Sequence, residues 1–396
     1  MKLVMLKNQT IYLLFGLLLV LIYLILGSGL HGDDYVVISN FRSSNFGDFI
    51  TINVEKIMKF NIATYYSFWF FYFSLGEEHQ WVYDSIKIVS HAISFFLVYK
   101  FSTDYLPKDR AVLVSLIFIL YPLHDTTAYW YMTAPYILIP STILYAHHLI
   151  RNNNIRLGVF ISILGAFSYY LSPPYIFGLA TIFLFEKQFK KAIIFITPGF
   201  LYVVYYFWIK FNYADVERRI NSDLGILDFL KQIIIQPLSF LESALGPSYW
   251  LKIFYAIESI SLFSVIIVAV ISIFSFIKVK KFSKVPALPK SLLVGLISVL
   301  ILSFGMYALT GLYSHSAFNL GNRSTIYGSL LIAFLLVTFL PANKKSVIFL
   351  LIIFLAPIFG LSDHWKSWNI HQKIVIENIK NNQELKAIEI DSTLIV

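Results

Sequence analysis

The sequence predicts an all-helical protein that crosses a membrane many times, and three observations support this fold class. Of the 396 residues, 58% are hydrophobic and only 13% are charged, so there are too few polar side chains to cover a soluble core of this size. The apolar residues gather into runs of up to about 20, which is the length of a membrane-crossing helix. Basic residues recur in alternate connections between these runs, as they do in cytoplasmic loops.

The apolar windows predict about eleven spans. They lie near residues 11–30, 82–100, 111–123, 134–150, 156–171, 174–185, 192–209, 253–277, 291–311, 324–340 and 346–361. The first window is too long for the apolar part of a signal peptide, so we expect it to remain as a helix. Two windows, 111–123 and 174–185, are shorter than a standard span, and we expect them to continue into polar flanks or to be broken at Pro122 and at Pro173-Pro174.

Charge predicts the orientation. If the amino terminus is cytoplasmic, every inner connection is basic, and most acidic residues fall on the outer side. The inner basic residues are Lys2, Lys7, Lys108, Arg110, Arg151, Arg156, Lys187, Lys190, Lys191, Lys278, Lys280, Lys281, Lys284, Lys290, Lys344 and Lys345. This placement accounts for the net charge of +9 without nucleic acid as a partner, and it makes membrane lipids the expected surroundings.

Residues 1–362 are predicted to form one transmembrane domain, and residues 363–396 a short extracytoplasmic tail. Two outer loops, 31–80 and 211–251, are long enough to hold helices that lie on the membrane surface. We place one such juxtamembrane helix near 60–75 and a second surface or re-entrant helix near 228–245. The alternative for 60–75 is a further span, which would invert all later segments and put the basic loops outside. The chain has no cysteine, which excludes disulfides and thiolate chemistry.

Candidate site residues lie at predicted outer ends of the spans. Asp33 and Asp34 directly follow the first span, and adjacent carboxylates repel each other unless a metal, a cation or a shared proton compensates; the alternative is a solvated loop. Asn322 and Arg323 stand at the start of another span, where a guanidinium can hold a phosphate or a lipid headgroup. The remaining candidates follow Pro122 and are His124 and Asp125.

These segments, in their order along the chain, resemble the GT-C superfamily of polytopic membrane glycosyltransferases. Within that superfamily they resemble the protein O-mannosyltransferase-like branch. His31-Gly32-Asp33-Asp34-Tyr35 is similar to the acidic first-loop motif of that branch, and the region around His91 is similar to its second span. Tyr121-Pro122-Leu123-His124 with Trp130 resembles its His-Pro-x-His segment and the tryptophan that follows. Asn322-Arg323 through Ser329 resembles its Glu-Arg-x-x-Tyr-x-Pro-Ser segment.

The resemblance implies a GT-C-like fold and a polyprenyl-phosphate-linked sugar as donor. Asp33 or Asp34 would deprotonate the acceptor hydroxyl, and Arg323 would hold the lipid phosphate, in one inverting displacement. His124, Asp125, Trp130 and Asn322 are further substrate-binding candidates. The chain departs from the branch at Tyr121, which replaces a histidine, and at Asp125, which stands one position early. These departures leave open the donor sugar, the acceptor (glycan, lipid or protein) and the need for a divalent cation.

We therefore expect a glycosyltransferase with its active site on the outer side of a bacterial cytoplasmic membrane. A cell-envelope polysaccharide polymerase is an alternative, because it also needs a base and cations at that surface. A lipid-linked sugar flippase or transporter is a second alternative, although it should carry charges in the middle of several spans, and these spans are nearly free of charge. In a non-catalytic scaffold, replacing the acidic residues would have no effect.

Overall fold

The regular structure is helical throughout the part of the chain that can be described. The computed structural model describes residues 16–35, 78–170, 172–212, 224–278, 283–284, 287–311, 315–341 and 343–383, and in these ranges there is no strand. In chain order the helices are α1 (Gly16–Ile25), α2 (Gln80–Ser102), α3 (Lys108–Ile119), α4 (Thr126–Tyr129), α5 (Pro135–Arg151), α6 (Ile155–Ala166), α7 (Ser172–Phe185), α8 (Phe189–Asn212), α9 (Ile226–Leu245), α10 (Pro247–Glu258), α11 (Leu262–Lys278), α12 (Lys290–Thr310), α13 (Ile326–Phe339) and α14 (Lys344–Asn381).

Several helices are suited to a membrane. Within the described ranges, four are long and apolar enough to cross one, and a bent pair formed by α9–α10 and α11 makes a fifth candidate. The four are Gln80–Ser102, Phe189–Ile209, Lys290–Thr310 and Gly321–Phe339. Large apolar side chains on these helices, such as Phe200 and Ile301, are exposed. Other predicted spans correspond to shorter helices, for example α3 and α6, each of 12 residues. The described residues are therefore all-helical with four or five candidate spans, as in a helical membrane protein, and this number does not reach the eleven predicted.

Helices α7 and α12 pack closely because glycines lie at their contact. A Cβ atom added at Gly178 would lie 2.5 Å from the backbone nitrogen of Val299 and 2.7 Å from its Cα atom. A Cβ atom added at Gly295 would lie 2.4 Å from a side-chain carbon of Ile182. Small residues let membrane helices approach in this way, where lipid gives no hydrophobic drive for association.

The segment predicted as one span near 253–277 is broken. Helices α10 and α11 are separated at Ser259–Ser261, and the pair is bent by 104° at this break. The backbone N–H of Ser261 donates to Asp363 Oδ2 at 2.8 Å, and the Ser261 hydroxyl accepts from the backbone N–H of Ser264 at 3.2 Å. The second contact caps the start of α11. Apolar content alone gives no sign of these polar contacts, so it predicted an unbroken span.

The boundary predicted between residues 362 and 363 lies inside α14, which has 38 residues. Beyond the apolar part, polar side chains attach this helix to the end of α1. The Ser362 hydroxyl donates to Leu24 O at 2.7 Å, and Asn369 Nδ2 donates to Gly27 O at 3.0 Å. Such bonds satisfy carbonyls that a helix end leaves without intrahelical partners. The first part of the predicted tail is thus a continuation of the last helix that packs on the first.

Polar contacts between the helix ends form two groups, one on the predicted outer side and one on the predicted inner side. Asp84 binds the turn after α1, and Asp125 binds Lys252; both contacts join segments predicted for the outer side. At the predicted inner side, Arg110 Nε donates to Ser283 O at 3.0 Å, and Arg151 pairs with Glu186 at 2.9 Å. The helix predicted near 228–245 corresponds to α9, whereas the juxtamembrane helix predicted near 60–75 lies outside the described residues.

Candidate functional site

A buried ion pair fixes the turn that leads from α1 to the acidic residues. Asp84 and Lys87, one helical turn apart on α2, are 2.8 Å apart and almost fully buried. Asp84 accepts from the backbone N–H groups of Gly27 at 2.7 Å and Gly29 at 2.9 Å. Gly29 has φ +66°, and a Cβ atom there would lie 2.3 Å from Asn369. Only glycine fits this left-handed turn.

Lys87 extends this anchor to the next segment of the site. Its ammonium donates to Ser28 Oγ at 2.7 Å, Gly29 O at 2.8 Å and Tyr129 O at 2.8 Å. With Asp84 beside it, all the hydrogens of the charged group have partners, which is the condition for burying a charge at tolerable cost. Lys87 therefore holds the end of α4 against the turn after α1.

Asp33 and Asp34 have different environments. Asp34 is completely buried and accepts from the backbone N–H of His31 at 2.9 Å and of Met132 at 3.1 Å. Asp33 is exposed. Gly32 directly precedes Asp33. It has φ +47°, and a Cβ atom there would lie 2.7 Å from the Trp130 ring. Asp34 is thus a bridge between the first loop and the segment after α4, while Asp33 is accessible to a substrate.

His124 lies behind the site rather than in it. It belongs to the 3-10 turn Pro122–His124, and its Nδ1 is 3.1 Å from the hydroxyl of Thr127. Burial lowers the pKa of His124 from 6.5 to about 3, so the ring is neutral at physiological pH. Its Nε2 has no hydrogen-bond partner among the described residues. His124 is 1% exposed and lines a cavity with a volume of about 10 Å³.

Asp125 connects three distant segments. Its Oδ1 accepts from Lys252 Nζ at 2.5 Å and from Asn322 Nδ2 at 2.5 Å, and its Oδ2 accepts from Trp365 Nε1 at 2.8 Å. Lys252 also donates to Ala317 O at 2.6 Å. Both charged groups are buried and 2.5 Å apart, so each compensates the charge of the other in a place that water does not reach. Because both oxygens are engaged, Asp125 organises the site and is poorly placed to act as a base.

These contacts form the floor of a cleft with a volume of about 770 Å³. Its lining is rich in aromatic rings and amides and comes from five separate parts of the chain. The lining residues are His31, Gly32, Asp125, Trp130, Lys252, Tyr255, Ala256, Ser259, Phe318, Asn319, Asn322, Leu361, His364, Trp365, Trp368 and Gln372. Pockets that hold small molecules have this size and this mixture of apolar walls and a few polar groups.

The cleft includes some of the residues predicted from sequence and omits others. Asp125, Trp130 and Asn322 line it, and Asp33 directly follows the lining residues His31 and Gly32. Arg323 does not line it. Its guanidinium lies 5.2 Å from the centre of the Tyr136 ring, and the Tyr136 hydroxyl is 3.0 Å from that of Tyr170. Arg323 thus lies among tyrosines, a surrounding that favours a guanidinium through cation–π attraction.

Sequence reasoning missed Lys252 and the contribution of α14. Lys252 lies between the predicted outer loop 211–251 and the predicted span 253–277, and nothing in its local sequence indicates a partner 127 positions away. For α14 a signal was present. His364, Trp365, Trp368 and Gln372 fall within nine residues directly after an apolar run, which is a concentration of ring and amide groups unusual for a solvated tail.

The described residues contain no group of three or more histidine, aspartate or glutamate side chains that could hold a metal ion. The cleft offers aromatic walls with amide and hydroxyl groups between them, and the exposed carboxylate of Asp33 lies beside it in the sequence. Comparisons of the chain with protein-family models, with curated proteins and with solved structures found no match.

Proposed function

We propose that this protein is a membrane glycosyltransferase of GT-C type that moves a sugar from a polyprenyl-phosphate donor to an acceptor hydroxyl. The observation that carries the proposal is the cleft, in which three predicted residues (Asp125, Trp130 and Asn322) lie together beside Asp33 although they come from distant parts of the sequence. Aromatic rings in the lining suit sugar faces. We place the reaction at the outer surface of a bacterial cytoplasmic membrane.

In this proposal Asp33 is the general base. A base must reach the proton that it removes, and Asp33 is exposed, whereas Asp34 is buried and bound to two backbone amides. Asp33 would take the proton from the acceptor hydroxyl while the acceptor oxygen attacks the anomeric carbon. The bond from that carbon to the lipid phosphate would break, and the phosphate would leave with the bonding electron pair. One displacement of this kind inverts the anomeric configuration. Asp34 is a positioning residue that fixes the loop.

The proposed reaction also needs a cationic side chain that binds the leaving phosphate. Arg323 is assigned this role by the resemblance, and it immediately follows the lining residue Asn322. Lys252 is in the lining itself, but its charge is already compensated by Asp125. We therefore keep Arg323 as the phosphate-binding candidate, acting beside the cleft. A guanidinium suits this task because it donates two parallel hydrogen bonds to phosphate oxygens.

The decisive experiment measures sugar transfer from radiolabelled polyprenyl-phosphate sugars in membranes that contain wild-type or variant protein. Asp33→Asn should abolish transfer while the protein elutes as a folded species in detergent. Arg323→Ala should raise the donor KM. Asp228→Asn, which changes an exposed carboxylate on α9 away from the cleft, is the matched control and should transfer normally.

Three results would overturn the proposal. Full transfer by Asp33→Asn would remove the assigned base. Wild-type membranes that bind or translocate polyprenyl-phosphate sugars but never transfer the sugar, over a broad panel of donors and acceptors, would favour the flippase. Joining of preassembled lipid-linked glycans, without use of the monosaccharide donor, would favour the polymerase.

A further inference from the structure

The end of α14 forms one fixed wall of the cleft. Beyond Leu361 it contributes His364, Trp365, Trp368 and Gln372 to the lining. Three contacts with the end of α1 hold this stretch in place: those of Ser362, Lys366 and Asn369. The wall is therefore rigidly connected to the loop that carries Asp33, which is a requirement for a site that positions a substrate against a base.

The two tryptophans of this wall differ in their surroundings. Trp365 is packed: its ring lies 4.6 Å from His31 and 6.0 Å from Tyr129, and its nitrogen is bound to Asp125. Trp368 is 52% exposed, and no aromatic ring among the described residues stacks on it. The side-chain amide of Gln372 is oriented so that its nitrogen donates to Leu30 O at 3.0 Å and its oxygen accepts from Trp368 Nε1 at 3.2 Å. The edge of Trp368 is thus held while its faces stay accessible.

The charges of the lining favour an uncharged ligand. Asp125 and Lys252 neutralise each other at 2.5 Å. The pKa of His31 is lowered to about 3 because the ring is buried and Lys87 is near, so His31 carries no charge at physiological pH. Ser259 and the exposed Asn319 are uncharged donors and acceptors, and the exposed His364 is the one further basic side chain of this lining. A phosphate would gain little electrostatic energy here, whereas hydroxyl groups would find partners.

We propose that the cleft binds an uncharged sugar ring stacked on the exposed face of Trp368, with its hydroxyls bonded to Asn319 and Ser259. The inference rests on the proposed function, because it names the acceptor of the transfer as a glycan rather than a protein or a lipid. A pyranose has a C–H face that packs on an indole ring, and an aromatic anchor of this kind combines apolar area with little loss of side-chain entropy.

The test measures saccharide binding without transfer. The full-length protein is purified in a detergent without a sugar headgroup and titrated with maltose, cellobiose, chitobiose and inorganic phosphate, with saturation-transfer NMR as the readout. Wild type should bind at least one disaccharide and no phosphate at the cleft. Trp368→Ala should raise the Kd about tenfold or more, as loss of one central aromatic anchor typically does. Trp368→Phe should retain part of the affinity. Trp250→Ala is the matched control, since Trp250 is 64% exposed but outside the lining.

The inference is overturned if no disaccharide binds wild type, if Trp368→Ala binds as wild type does, or if phosphate competes with the sugar. Its failure can be told from that of the proposed function by the transfer assay. Transfer with an acceptor KM unaffected by Trp368→Ala would reject the glycan subsite and leave the transferase standing. Disaccharide binding that depends on Trp368, in a protein that never transfers sugar, would support the subsite and reject the transferase.

Discussion

At the scale of single residues, burial gives Asp33 and Asp34 different expected effects on stability. Asp34→Ala removes an acceptor from the backbone N–H groups of His31 and Met132. Leaving buried donors unpaired costs about 1–3 kcal/mol, so we expect the free energy of unfolding to fall by roughly that amount. Asp33→Ala changes an exposed side chain and should alter it by less than about 0.5 kcal/mol. Thermal unfolding of the detergent-solubilised variants measures both, and equal losses would contradict the assignment.

The buried pair of Lys252 and Asp125 leads to a second prediction. Lys252→Met leaves Asp125 buried without its cation, and breaking a buried pair in this way costs about 3–5 kcal/mol. Adding Asp125→Asn to Lys252→Met removes the uncompensated charge and should recover most of that loss. A double-mutant cycle on unfolding free energies isolates the coupling. Additive losses would mean that the two side chains do not interact as the structure places them.

The candidate site could be predicted in part at this scale. Its position just beyond an apolar run identified Asp125, because span ends of one side meet at one surface, and the family resemblance identified Trp130 and Asn322. The same rule could not distinguish Asp33 from Asp34, since their burial depends on where Met132 folds back. It also could not find Lys252, whose role comes from a tertiary contact with Asp125.

At the scale of helices, the contact between α7 and α12 gives a third prediction. Gly178→Ala would place a methyl group 2.5 Å from the backbone nitrogen of Val299, so the helices must separate, and overpacking of this kind costs about 1–3 kcal/mol. Gly305→Ala, on the partner helix α12, is the matched control, because its Cβ would meet nothing within 4 Å. The melting temperature in detergent should fall for the first variant only. A similar fall for both would mean that the close contact at Gly178 is not the cause, because alanine by itself favours a helix over glycine.

Helix positions could largely be predicted from apolar runs, and helix ends and breaks could not. The window at 82–100 corresponds to α2, and the window at 291–311 to α12. The break at Ser259–Ser261 depends on Asp363, a residue that lies about 100 positions further along. The continuation of α14 past residue 362 depends on partners at the end of α1. Local hydropathy carries no information on either contact.

At the scale of the whole molecule, buried histidines predict instability in acid. Outside the candidate spans, burial lowers the pKa values of His31, His124 and His315 from 6.5 to about 3. The unfolded chain binds protons at these groups below pH 6.5 and the folded chain does not, so their contribution is intact above pH 6.5 and decreases towards pH 3. Each accounts for about 1.4 kcal/mol per pH unit in that window.

A single variant tests this pH dependence. His315 lies among the rings of Phe240, Phe304 and Tyr307, so His315→Phe replaces the titrating ring with one that suits the same surroundings. Between pH 6 and pH 4 the free energy of unfolding of wild type falls as the pH is lowered. In the variant the slope of this fall should be smaller than in wild type by about 1.4 kcal/mol per pH unit. Chemical denaturation at several pH values gives the slope, and an unchanged slope would mean that His315 does not stay neutral.

The orientation of the whole molecule gives the last prediction. The chain has no cysteine, so each introduced one is unique. Ser367, near the cleft on α14, and Asn154, beside the inner group around Arg151, are both exposed. A membrane-impermeant maleimide added to spheroplasts should label Ser367→Cys at once and Asn154→Cys only after the membrane is opened, because basic connections stay cytoplasmic. The reverse result would put the cleft on the cytoplasmic face, where a donor displayed on the outer leaflet could not reach Asp33.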